Sequence, residues 1–560
     1  MDFTQMALSF IGGFGIFIFG MNYMGEGLQK SAGNQMKNLI GALTNNRILG
    51  VLVGAIVTVV VQSSSATTVM IVGFVNAGLM SLTQAVGVIM GANIGTTVTA
   101  WIVSLGDWVD WLSPSTIAPL LVAIGVGLSM IAKEQKIKYI AQIIFGFGAL
   151  FLGLDMMSGA VKPLRELQEI KDLFMTLGAN PILGILTGAL VTAIIQSSSA
   201  SVGILQALAI AAIVPWNTAI YIILGQNIGT CVTAILSSIG ANTNAKRAAV
   251  IHLLFNIIGS ILFGIIGVIT FQFVIPAFGN TLITTFEISI VHSIFNILNT
   301  LLLFPFATLL VKIATKIISD SSVPMSKELI HLDERMLETP SFAVQSAVKE
   351  VHAYSMLAEK NLKTAFYALL NKDENKIAEV IEREKKINKI QHEINNYLVK
   401  LSNVPLSEKE HSQINTLFHN VGDIERVGDH AENLVELAQN LIRDNAIFSD
   451  SAIEELTNMT NLVLETYNNA LNAFMNENIE SAKKVYELEN KVDKMETRLR
   501  KRHIKRLSEE KCSPLAGIVF LDTISNLERI SDHAVNLVDA LVGESFNEDE
   551  EEFYLSNDNH

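Results

Sequence analysis

The feature that most constrains this chain is how far it runs without a formal charge. Residues 48–106 contain no Lys, Arg, Asp or Glu, and neither do residues 173–245. A helix needs ~20 apolar residues to cross the hydrocarbon core of a bilayer. Each stretch therefore has room for more than one crossing, and a water-soluble domain does not carry such stretches. Charge is crowded into the rest of the 560 residues: residues 1–318 hold 13 Lys and Arg against 10 Asp and Glu, the remainder 27 against 44. The net charge of −14 averages a nearly neutral half with an acidic one, and no basic patch points to nucleic acid. Cys231 and Cys512 lie on opposite sides of this break, so neither a disulfide nor a zinc site is expected. The apolar run at residues 6–24 has no basic segment before it and further spans after it, and reads as a retained first helix, not a signal peptide.

The neutral half repeats itself. QSSSATT at residues 62–68 matches QSSSASV at 196–202, an offset of 134 that also pairs GANIGTTVTA (91–100) with GQNIGTCVTA (225–234). Gly54 pairs with Gly188 and Thr58 with Thr192. One residue out of step, Gly13 pairs with Gly146 and Gly20 with Gly153. Because the matches are polar, a general likeness between apolar helices does not account for them.

Lys and Arg between the apolar runs set the expected orientation. With Lys30, Lys37 and Arg47 cytoplasmic, residues 47–78 enter, break at QSSS and return as a hairpin. Residues 82–105 then cross outward, placing Asp107, Trp108, Asp110 and Trp111 at the outer interface. Residues 117–132 return to Lys133, Lys136 and Lys138, and 139–161 go out, so the second hairpin, 181–213, enters from the opposite face. Residues 216–239 return to Lys246 and Arg247, 248–274 go out and 286–317 come back. The loop with Lys162, Arg165 and Lys171 falls outside, accompanied by Glu166, Glu169 and Asp172. The fold expected for residues 1–318 is all-α and polytopic, with inverted repeats (about 5–132 and 138–275), two re-entrant hairpins and a final helix at 284–318.

In hydrocarbon, a broken helix survives only when buried in protein or lining a water-filled cavity, and broken helices at matching places in inverted halves point to a transporter's midplane site. Serine favours helix N-termini, whose free N–H groups and dipole suit an oxyanion. Ser63, Ser64, Ser65, Ser197, Ser198 and Ser199, with the amides of Gln62 and Gln196, offer neutral donors in hairpins that hold no cation. Co-bound sodium then supplies positive charge through oxygen ligands. Asn93, Thr96 and Thr99, with Gln226, Asn227, Thr230 and Thr233, are the candidates. A lone SSS run reads equally well as close helix packing; its duplication at a fixed distance from NIGT favours the site. HLLFN at 252–256 and HSIFN at 292–296 each set His and Asn four apart, where packing competes with ligand or proton binding. Asp155 and Glu287 stay open between site and helix-end roles.

These paired motifs resemble the type II sodium-phosphate cotransporters and their bacterial relatives over most of residues 5–318. The resemblance implies sodium-coupled movement of inorganic phosphate across a plasma (inner) membrane by alternating access, with both QSSS runs at the substrate and the second NIGT segment at sodium. Spacing alone does not separate phosphate from another oxyanion.

Beyond a linker at 319–340 the chain becomes charged and helical. Helices are expected at 341–370, 374–401, 407–443, 451–476, 479–507 and 514–542, followed by a disordered acidic tail at 544–560. IERVGDHAENLVELA from residue 424 matches LERISDHAVNLVDAL from 527, giving two three-helix bundles. Glu425 and Asp429, and Glu528 and Asp532, lie four apart on one face, an arrangement that holds a multivalent cation or is simply solvated. Residues 341–543 resemble the PhoU family. That likeness implies a cytoplasmic regulatory domain with metal clusters, Asp493 joining the second set while Asn388 stands at the matching place in the first. A membrane-bound phosphate sensor without flux is the rival reading. No arrangement of nucleophile, base and oxyanion donors suggests an enzyme. Oligomeric state is not fixed, and a homo-oligomer in the lipid bilayer is compatible with the pattern.

Overall fold

Polar caps cut the apolar runs of the first half into helices. Asn46, Ser63, Ser81, Asn180, Ser197, Asn242 and Thr284 each accept a hydrogen bond from a first-turn N–H, satisfying donors that the helix itself leaves free. In the computed structural model, which describes residues 3–41, 46–105, 114–319, 331–476, 478–509 and 512–557, the helices of the first half are α1 Phe3–Gly41, α2 Arg47–Val61, α3 Ser64–Asn76, α4 Leu82–Ser104, α5 Pro114–Ile131, α6 Gln135–Val161, α7 Gln168–Ala179, α8 Pro181–Ile195, α9 Ser198–Ile210, α10 Trp216–Gly229, α11 Cys231–Ser237, α12 Thr243–Ile269, α13 Pro276–Gly279, α14 Thr285–Leu303 and α15 Ala307–Ile317. Among the described residues, six helical spans are long and apolar enough to cross a membrane. Among the described residues the only β pairing is an isolated bridge between Pro215 and Leu282.

Small residues show how the helices run. A Cβ added at Gly13 would lie 2.9 Å from Gly153 O, at Gly20 2.6 Å from Gly146 O, and at Gly27 3.1 Å from Tyr139 O. Numbers rise along α1 as they fall along α6, so these counterparts of the two repeats pack antiparallel. The repeats are inverted, and the pairs Gly13·Gly153 and Gly20·Gly146 exchange under the pseudo-twofold. In contrast, α2 and α4 run parallel: a Cβ at Gly91 would meet Val51 O at 2.0 Å and one at Gly95 would meet Ala55 O at 2.6 Å. The second repeat copies this contact, with Gly225 on Ile185 O at 1.9 Å and Gly229 on Ala189 O at 2.5 Å. Because residues 77–81 join α3 directly to the start of α4, α2 and α3 both open at the same end of α4. The pair α8 and α9 does the same beside α10.

The structure corrects one expectation and refines two. The segment before the second hairpin is not a loop: a 3-10 turn, Lys162–Glu166, leads into α7, which bends by 107° into α8 where Asn180 caps and Pro181 fixes the first turn. The span expected at 216–239 is helical over Trp216–Ser237, with a one-residue irregularity at Thr230 between α10 and α11. Glu287, left open between two roles, takes the helix-end one: it caps its own helix, accepting from Thr284 N at 2.8 Å. Asp107, Trp108, Asp110 and Trp111 lie outside the described residues, as do residues 320–330 of the linker.

The chain forms two compact units. The first comprises residues 1–326, 333–343 and 405–407, the second 327–332, 344–404 and 408–560. Helices of the charged half are α16 Pro340–Asn371, α17 Glu374–Ser402, α18 Glu408–Arg443, α19 Asp450–Asn476, α20 Ile479–Ser508 and α21 Pro514–Asn557. α21 extends to Asn557, into the stretch expected to be a disordered tail, which holds no proline or glycine after Gly543. α18 and α21 meet along an antiparallel seam. His430 Nδ1 lies 2.8 Å from Asn526 Oδ1, and His533 Nδ1 lies 2.8 Å from Asp423 Oδ1, two bonds that exchange under the duplication. Both histidines are thus engaged across the seam.

Candidate functional site

Each QSSS run is a hinge built from one unfavourable residue and one favourable one. Gln62 and Gln196 end α2 and α8 in the left-handed region, at φ 56° and 59°. A non-glycine residue held there costs ~1–3 kcal/mol and persists only where its surroundings fix it. Ser63 and Ser197 then cap the next helix, accepting from Ala66 N at 3.1 Å and Ala200 N at 3.2 Å. A buried hydroxyl pair braces each hairpin across its break, Thr58 to Thr67 at 3.1 Å and Thr192 to Ser201 at 2.8 Å.

The fold brings the two breaks together. Ser64 Oγ and Ser198 Oγ lie 3.3 Å apart, each residue 5% exposed. Ser65 Oγ donates to Gln196 O at 3.2 Å, and Ser199 Oγ to Thr99 Oγ1 at 3.4 Å. Two helix N-termini, each equivalent to about half a positive charge, therefore face one another with no formal charge in either hairpin. Such an arrangement repels itself and is relieved by an anion placed between the ends, where free N–H groups and hydroxyls converge.

The two hairpins are not in the same state. Gln62 is buried and accepts from Thr99 Oγ1 at 3.1 Å, and α1 covers it, with Gln29 Nε2 donating to Val61 O at 3.4 Å. Gln196 is exposed. Thr233, the counterpart of Thr99, donates to Thr230 O in its own helix at 2.9 Å.

The other expected sodium ligands lie along α4 and α10, with Thr230 at the end of α10. Asn93 and Asn227 donate to Ile89 O and Ile223 O, and Thr96 and Thr230 to Ala92 O and Gln226 O. Their acceptor oxygens are left for another partner. Gln226 Nε2 bonds Ser201 O at 3.0 Å, and its Oε1 is buried without a partner. Only the second NIGT segment departs from regular helix, by one residue at Thr230. Both His252 and His292 are buried, and neither ring nitrogen of His252 has a partner.

In the second unit, one carboxylate oxygen from each of Glu489, Asp493 and Asp532 lies within 4.8 Å of the others. Burial and the adjoining Asp493 push the Glu489 carboxyl up to about 7, and Glu528 and Asp532 are raised for the same reasons. The first bundle has Glu384 with Glu425 and Asp429. Glu384 is pushed up to about 8, first by burial and then by Asp429. One oxygen of Glu384 and the amide oxygen of Asn388 are buried without partners. Hard oxygen donors crowded at this density fit a multivalent cation. Glu384 and Glu489 were not singled out from sequence, although EKKIN at 384–388 and ENKVD at 489–493 form a matching pair.

Residues 16–159 and 165–285 match the Na+/Pi-cotransporter family, and residues 351–438 and 456–541 match the PhoU domain. The YjbB protein of Salmonella typhimurium, named for inorganic phosphate export, is 24% identical over 523 residues, covering 92% of this chain and 94% of that protein. The uncharacterized protein YqeW of Bacillus subtilis is 30% identical over 244 residues, 43% of this chain and 76% of the relative. Sodium-dependent phosphate transport protein 2A of Rattus norvegicus is 35% identical over 130 residues, 20% of each chain. With its inverted repeats and facing serine breaks, the chain is a membrane protein of the Na+/Pi-cotransporter family that carries a PhoU domain in its C-terminal half.

Proposed function

We propose that this protein moves inorganic phosphate across the plasma (inner) membrane, coupled to sodium, by alternating access of two re-entrant hairpins, and that its C-terminal domain is cytoplasmic and regulatory. The observation that carries this reading is the meeting of Ser64 and Ser198, which turns two helix N-termini toward one anion position. Gln62, Ser65, Gln196 and Ser199 complete the donor set, and Ser63 and Ser197 hold the helix ends in place. Sodium sits nearby on oxygens of the NIGT segments, the second one foremost, where Gln226 keeps a free acceptor. The relatives named for phosphate export and for sodium-dependent phosphate transport support this substrate pair. A multivalent cation held by Glu489, Asp493, Glu528 and Asp532, and by Glu384, Glu425 and Asp429, is part of the same proposal, as is the division into a transport domain at 1–318 and a helical domain at 341–543.

Purified protein in proteoliposomes tests it. Radiolabelled phosphate flux should follow a sodium gradient, and Ser198→Ala or Gln196→Ala should reduce it by about tenfold or more, as loss of a donor to a charged ligand does. Flux indifferent to sodium would end the coupling; binding without flux would make the protein a sensor.

A further inference from the structure

Residues 333–343, which lead into α16, belong to the first unit. A 3-10 turn, Glu334–Glu338, is capped by Asp333, whose carboxylate accepts from Arg335 N at 3.0 Å. Asp333 is 4% exposed, and Met336, Thr339 and Phe342 are buried. This stretch lies on α3, the returning arm of the first hairpin. A Cβ added at Gly73 would be 3.4 Å from Arg335 Cβ, and Phe74 meets Phe342 edge-to-face at 5.6 Å.

Its polar groups reach across to the other repeat. Asn76 Nδ2 donates to Asp333, which pairs with Arg335 Nη1 at 2.7 Å. The Arg335 guanidinium donates to Ser237 O and, at 3.2 Å, to Ile239 O, carbonyls at the C-terminal end of α11 where a cation is favoured. Asn76 and Asn242 close the ring, with Asn242 N donating to Asn76 Oδ1 and Asn242 Nδ2 to Asn76 O, both at 2.8 Å. Hairpin one of the first repeat is thereby tied to the α11–α12 turn of the second. Among the described residues the second hairpin shows no copy of this tie, and position 210, which matches Asn76, is isoleucine.

We propose that residues 333–342 are a latch holding the first hairpin shut, and that Arg335, Asp333 and Asn76 are positioning residues that act on the substrate site through α3. This rests on the alternating-access reading. The hairpin that the latch grips is the one whose Gln62 is buried under α1 and bonded to Thr99, while the hairpin without a latch has Gln196 exposed. The half of the cycle that opens the first hairpin must undo these bonds. α16 begins at Pro340, inside the latch.

The test is a reversible lock. In full-length protein with Cys231→Ser and Cys512→Ser, Gly73→Cys and Arg335→Cys set two Cβ atoms close to the separation a disulfide needs, about 3.5–4.5 Å. Reduced, this protein lacks the Arg335 bonds and should carry phosphate with at least the maximal rate of its parent at unchanged KM. Oxidised, flux should fall by about tenfold or more and return with dithiothreitol. Full crosslinking with undiminished flux would overturn the latch. A second readout does not need flux: Gln62→Cys in inside-out vesicles should react with an impermeant maleimide about tenfold faster when Arg335 is Ala, and equal rates would also overturn it. If reduced and parent proteins both carry no phosphate while the labelling rates differ, the transport reading fails and the latch stands.

Discussion

At the scale of single residues, the site depends on hydroxyls whose bonds differ between the two repeats. Thr99 holds Gln62 and receives Ser199, whereas Thr233 bonds only its own helix. Thr99→Val, which keeps the shape and removes the hydroxyl, should therefore weaken apparent phosphate affinity by about tenfold, the effect of roughly 1.4 kcal/mol. Thr233→Val, measured in the same flux assay under conditions that favour the described state, should change it much less. Equal effects would mean that the asymmetry plays no part in binding. The serines were legible in sequence because hydroxyls in a charge-free apolar run need a reason to be there. Glu384 and Glu489 were not, since a glutamate on a charged amphipathic helix looks ordinary until burial and neighbouring carboxylates make it costly. Arg335 was illegible for a different reason: its partners are backbone carbonyls about a hundred residues earlier, which no local pattern announces.

At the scale of elements, the hairpins are seated by glycine. A Cβ at Gly54 would stand 2.1 Å from Val88 O, and one at Gly188 2.1 Å from Ile222 O. Backbone cannot yield as a flexible side chain does, so Gly54→Ala and Gly188→Ala should each displace a hairpin at a cost of about 1–3 kcal/mol. The checking measurements are thermal unfolding in detergent and phosphate binding. Loss of binding larger than loss of stability shows that the seat positions the serine tip; unchanged values for both would mean that α2 and α8 settle elsewhere without consequence. The long helices were readable from hydropathy and periodicity, and the repeat showed where the breaks fall. α7 was not readable as a helix, because its charged face and short length resemble a polar loop until Phe174 is seen buried, with its carbonyl accepting from Thr218 Oγ1 at 2.6 Å. Neither was the hitch at Thr230, since the same NIGT letters give an unbroken α4 in the first repeat.

At the scale of the whole molecule, the second half holds two matching carboxylate clusters, in which burial and like-charged neighbours push Glu384, Glu425, Glu489, Glu528 and Asp532 above the ordinary carboxylate range. Added multivalent cation should raise the unfolding temperature of the full chain by several degrees, as a ligand that binds only the folded form does. Asp493→Asn should remove most of that gain, and Asn388→Asp should enlarge it by completing the first cluster; a gain unaffected by either places the cation elsewhere. The two antiparallel partners α1 and α6 carry a wider implication. Their glycines mesh as reciprocal pairs, so the surface each presents is the surface that the other needs. A polypeptide of half this size, free to insert either way up, could assemble the same core from two copies of itself. In the single chain the two copies are no longer alike, and among the described residues 333–342 pack against the returning arm of the first alone.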